Sequence, residues 1–95
     1  MQVFQKKPGE NWPIQFDYTS RLPAGTTVSS GSCSAVDKKT GDTAAVITGG
    51  VTITTTSAKI RVTGGADKHD YIITMSVTLS DSSVLIDEAE MQVRA

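Results

Sequence analysis

The sequence has one cysteine, one histidine and one tryptophan among 95 residues. A lone cysteine cannot staple its own chain, so the fold must stand on packing alone. This agrees with folding in a reducing compartment. No apolar run approaches the length of a membrane span. The opening MQVFQKKPGENWP lacks the apolar stretch behind a basic one that a secretion signal needs. Asn11-Trp12-Pro13 is not a glycosylation sequon. Neither sign of charge dominates: nine Lys and Arg face ten Asp and Glu, for a net charge of -1. Such a chain has no long-range field to attract nucleic acid or anionic lipid. The expectation is a protein that begins at its own Met, is made in the cytoplasm and stays soluble, with no nucleic-acid and no membrane partner.

What the sequence does contain is threonine, serine, valine and isoleucine, which favour strands and turns. Hydrophobic residues make up 38% and charged residues 20%, a globular balance. Apolar residues recur at every second position. In WPIQFDY, Trp12, Ile14, Phe16 and Tyr18 share one face, with Gln15 and Asp17 on the other. Pro13 cannot donate to a ladder, which places it at a strand start or edge. Tyr71 to Leu79 is the clearest strand: Tyr71, Ile73, Met75, Val77 and Leu79 point one way. Val28 and Cys33 have opposite parity, and a bulge at Ser30-Gly31 would return both to the core. AAVIT, VTITTT and AKIRVT read as separate short strands, the first two split at Gly49-Gly50. SDSS turns the chain into VLIDEAEMQVRA. About seven or eight short antiparallel strands at this spacing predict a sandwich, and hairpins plus a crossover make it an immunoglobulin-like Greek key. Residues 1–95 are read as a single domain of that kind.

Candidate chemistry is sparse. GSCSA, Gly31 to Ala35, places small residues around a thiol, but a nucleophile needs a base and a lowered pKa. No helix follows to form an elbow. Cys33 is therefore expected to be a buried thiol acting as a small hydrophobe. His69 with Asp67 and Asp70 offers too few ligands for zinc and no calcium-loop spacing. Asp87, Glu88 and Glu90 could pass for paired carboxylates, but Glu88 and Glu90 share the polar face of a strand and read as a solvated face that also discourages edge pairing. The Gly pairs at 49-50 and 64-65 lack the strand and helix of a phosphate loop. Lys6-Lys7 and Lys38-Lys39 read as solvated turn residues. No catalytic residue, cofactor site or metal site is expected. Asp67-Lys68-His69-Asp70-Tyr71, just before the best strand, fits a tyrosine corner, whose hydroxyl bonds back to the chain just upstream. Tyr71 and Asp67 are read as that structural corner.

Lys7-Pro8-Gly9-Glu10, then PIQFDYTSRLPAGTTVSS, then Gly64-Gly65-Ala66-Asp67 through Tyr71, then IITMSVTLSDSS occur in this order along the chain. In that layout the sequence resembles small phage and prophage virion proteins of immunoglobulin-like fold, of the fibre–tail adaptor or head–tail neck type. It departs from them where polar residues replace the Gly before the late Tyr, and where Cys33 stands in place of a Trp. The resemblance implies a non-enzymatic structural protein of the tail or head–tail junction, encoded by a prophage. Its partners would be other virion structural proteins, with a homo-oligomeric ring on the particle. It would sit in the cytoplasm during synthesis and in the virion afterwards. The alternative is an immunoglobulin-like binding module of adhesin or carbohydrate-binding type.

Overall fold

Asp70–Leu79 alternates half-buried and buried side chains without a break, and the rest of the chain is laid around it. The computed structural model describes residues 2–95. Seven strands follow in order: β1 (Gln2–Lys6), β2 (Trp12–Asp17), β3 (Val28–Asp37), β4 (Ile47–Ile53), β5 (Ser57–Val62), β6 (Asp70–Leu79) and β7 (Val84–Val93). The only helical element among the described residues is a single 3-10 turn at Thr19–Arg21. No helix among them is long and apolar enough to cross a membrane.

The strands form two sheets, ordered β1-β7-β6-β3 and β2-β5-β4. Both inner faces feed one core cluster, so the architecture is an all-β sandwich. Having β3, β6 and β7 on one sheet and β2, β5 and β4 on the other agrees with an immunoglobulin-like Greek key. Pairing is not antiparallel throughout, as the strand pattern had suggested. β1 runs parallel to β7, with Gln2 opposite Ala89 and Lys6 opposite Val93. No hairpin joins these two strands, so the turn geometry that imposes antiparallel pairing does not act on them.

The period-2 readings hold where a strand is flanked by hydrophobic partners. Ile14 and Phe16 of β2 are buried, as is Tyr18 just beyond it, while Gln15 and Asp17 are exposed. Pro13 lies on β2, an edge strand. The bulge expected in β3 falls one residue earlier, where the register against β6 shifts between Val28 and Ser30. That extra residue puts Val28, opposite Leu79, on the same face as Cys33, opposite Met75. Gly49-Gly50 does not end a strand. β4 continues through it, and its register against β5 slips between Thr48 and Thr52. Gly49 has φ +72°, which glycine adopts without strain. The chain therefore buckles there instead of stopping.

The Tyr18 hydroxyl is fully buried and has no hydrogen-bond partner among the described residues. Burial, with Asp87 nearby, pushes its pKa up to about 12. The Arg21 guanidinium lies 5.7 Å from the ring centroid. An unpaired buried hydroxyl opposes folding by about 1–3 kcal/mol. Tyr18→Phe keeps the ring and removes that group. Its urea midpoint is expected to equal or exceed that of the parent, and a clear fall would show that the hydroxyl is satisfied.

Candidate functional site

The densest polar network lies at one end of the sandwich. The end of β1, the β5–β6 loop, the end of β3 and the end of β7 meet there. Gly64 and Gly65 turn the chain with φ +61° and +94°. A Cβ on Gly65 would sit 2.7 Å from Val93 Cγ2 and 3.3 Å from the Tyr71 ring, so the backbone lies directly on that ring. The Tyr71 hydroxyl accepts a hydrogen bond from the Ala66 amide at 2.9 Å, five residues upstream. Asp67 faces elsewhere: its Oδ1 accepts the Ala95 amide at 2.8 Å and ties down the segment after β7. Lys68 takes φ +68° between them.

Lys6 is the residue sequence reasoning misplaced. It is buried, not solvated. Phe4 and Lys6 share the inward parity of β1, so the lysine stem covers apolar surface beside Val93 while its head seeks oxygen. Its Nζ donates to Gly64 O at 2.6 Å and to Lys7 O at 2.8 Å. Burial holds its pKa below the usual lysine value. The only signal for this was its parity with Phe4. Lys38 is likewise engaged, 3.0 Å from Glu90.

His69 does not gather Asp67 and Asp70 into a cluster. Its Nδ1 lies 2.7 Å from Asp37 Oδ2, at the end of β3. The imidazole hydrogen bond, ahead of any other cause, holds the Asp37 carboxyl below its ordinary range. Asp70 pairs instead with Arg94 at 2.8 Å. Asp37 and His69 are 32 residues apart, and no local pattern links them. Among the described residues, no three His, Cys, Asp or Glu side chains form a group that could hold a metal ion.

Cys33 is half-buried, where full burial was expected, because β3 is the edge of its sheet and lacks a neighbour on one side. Burial still raises the thiol pKa to about 11, which keeps it protonated and a poor nucleophile. Cys33 is four residues from Asp37 along β3, about 13 Å at strand rise. The arrangement is thus a hydrogen-bonded brace and not a nucleophile–base pair. A second feature is a depression of about 450 Å³ on the outer face of the three-stranded sheet, where β4 buckles. Gly49, Gly50, Pro13, Lys59 and Arg61 line it, and the two cationic residues are exposed.

Residues 6–94 match the family model described as Gp77, podophage GP4 fiber-tail adaptor protein gp77. No curated protein matches the chain.

Two substitutions test the brace. Tyr71→Phe leaves the Ala66 amide without its partner and is expected to destabilise the fold by about 1 kcal/mol, read from denaturant midpoints. An unchanged midpoint would show that the bond carries no weight. Because the folded pKa of Asp37 is depressed, its stabilisation is present above the ordinary carboxylate value and is lost as pH falls from there through the lower folded value. Asp37→Asn is therefore expected to unfold more easily than the parent at neutral pH. The gap should narrow below about pH 4. A gap that stays constant with pH would remove the carboxylate from the account.

Proposed function

This chain belongs to the Gp77 family of podophage fiber-tail adaptor proteins, and on that premise we propose how it works. Membership makes it a structural component of the phage tail that contacts other virion proteins. In our reading it acts without catalysis, as one immunoglobulin-like domain spanning residues 1–95. It is encoded by a prophage, made in the cytoplasm and built into the virion at the tail or head–tail junction. Copies stand in a homo-oligomeric ring, presenting strand edges and loops to the neighbouring fibre and tail proteins.

One observation carries this reading: the family match runs from residue 6 to residue 94, nearly the whole chain. The structure supports it in kind. The thiol is held protonated, and the one histidine is engaged by Asp37. The surface features suit protein contact. The basic depression at Lys59 and Arg61 would accept acidic side chains of a neighbour. The brace around Tyr71 and Asp67 holds the β5–β6 loop in one shape, the pre-organisation a docking surface needs. We assign both residues this structural role.

Particle composition tests the proposal. Phage particles released by inducing the host with a DNA-damaging agent are banded on a density gradient and digested with trypsin. The peptides VTGGADK and HDYIITMSVTLSDSSVLIDEAEMQVR are expected at a fixed ratio to capsid protein, and that ratio gives the copy number. Abundant capsid without these peptides would overturn the virion assignment.

A further inference from the structure

Sheet edges are sites where a chain pairs with another chain unless something blocks them. Most edges here are blocked. β2 carries Pro13. β4 buckles at Gly49-Gly50. β3 is bulged, its ends are covered by the bonds from Val28 N to Thr55 O and from Ala44 N to Ala35 O, and its open middle, residues 30–34, carries only serine, glycine and the half-buried Cys33. β1 is short, five residues, with one exposed large apolar side chain, Val3. β7 is different. β1 pairs with it only from Ala89 onward, so Val84–Glu88 has β6 on one side and no strand on the other among the described residues.

The hydrogen-bond phase of β7 fixes what that edge offers. Val93 N bonds His69 O, and Leu79 N bonds Ser83 O, so odd-numbered positions of this stretch address β6. Arg94 N bonds Lys6 O, so even-numbered positions address the β1 side. Antiparallel pairing alternates in this way. The amide and carbonyl of Val84 and of Ile86 therefore point at the open edge. The same two residues carry the most exposed large apolar side chains among the described residues, 57% and 60%. Unpaired backbone and uncovered side chain coincide, with no Lys or Pro between them.

We propose that this edge pairs with the same edge of a second copy, antiparallel about a two-fold axis at Leu85. In that register Val84 faces Ile86 of the partner subunit, and the reverse pair repeats it. The backbone groups of Val84 and Ile86 in the two copies satisfy one another. The open segment runs from the β6–β7 turn to the start of β1, about the length the register needs. Charge permits it within the paired stretch: Val84, Leu85 and Ile86 are uncharged, Asp87 falls opposite a serine, and Glu88 lies beyond it, at the partner's turn. Apolar pairs directly opposite each other are the favoured cross-strand contacts. An isologous contact of this kind closes on itself. It joins two four-stranded sheets into one continuous sheet. The inference stands on strand geometry and does not depend on the family reading or on the ring.

Sedimentation equilibrium of the purified full chain, up to millimolar concentration, tests it. The expected result is twice the chain mass at high concentration, falling to the chain mass on dilution. Ile86→Lys, at an exposed position, is expected to weaken that association by about tenfold or more while circular dichroism stays unchanged. Hydrogen exchange on the unsubstituted protein gives a second readout. The Val84 and Ile86 amides should slow as concentration rises, while the Leu85 amide, bonded to β6, should not follow them. A chain that stays monomeric throughout overturns the proposal and leaves the edge to a different protein. A dimer indifferent to Ile86→Lys, with no concentration-dependent protection at these amides, overturns it as well.

Discussion

The inward row of β6 is the constraint on which the rest of the molecule depends. Tyr71, Ile73, Met75, Val77 and Leu79 are each 5% exposed or less. Burying one such side chain contributes about 1.5–3 kcal/mol, so the row outweighs any single polar contact, each worth about 1 kcal/mol net. β6 is also paired on each side along all but one residue, to β3 and to β7. A slip of one residue would turn all five side chains to the outer face. The register of the four-stranded sheet is thereby fixed, and with it the positions of Cys33, Asp37 and Ala89.

The polar end of the sandwich is built on that register and not against it. Tyr71 is both the first member of the buried row and the acceptor for the Ala66 amide. Gly65 lies against the same ring. Lys6 and Asp37 arrive from the first and third strands to bond the loop at Gly64 and His69. These contacts hold a loop that has few apolar residues of its own. They leave the chemistry quiet: one histidine occupied by a carboxylate and one thiol kept protonated by burial. A loop end held by hydrogen bonds suits a part that joins other parts, as expected of a chain in the fiber-tail adaptor family.

Much of the fold was legible in the residues. The alternations in WPIQFDY and in Tyr71–Leu79 located β2 and β6, because side-chain direction in a strand follows from covalent geometry with a period of two. The opposite parity of Val28 and Cys33 required a bulge, and one occurs next to the predicted place. The order of the short motifs along the chain pointed by itself to phage adaptor proteins. Other features were not legible. Gly49-Gly50 reads as a break, and only the pairing of β5 on both sides of it shows one buckled strand. Lys6 reads as a solvated charge, and only the nearby Gly64 and Lys7 carbonyls explain its burial.

The sequence by itself determined the class of the protein: an all-β chain without disulfides, with a core set by every second residue of its strands. Those properties reside in neighbouring residues and survive without knowledge of which strands touch. Tertiary structure alone decided the parallel seat of β1, the Asp37–His69 contact and the half-exposure of Cys33. It also decided that the edge at Val84 and Ile86 has no strand beside it among the described residues. Each depends on the order of strands across a sheet. That order is settled by contacts between residues tens of positions apart, where the local period carries no information.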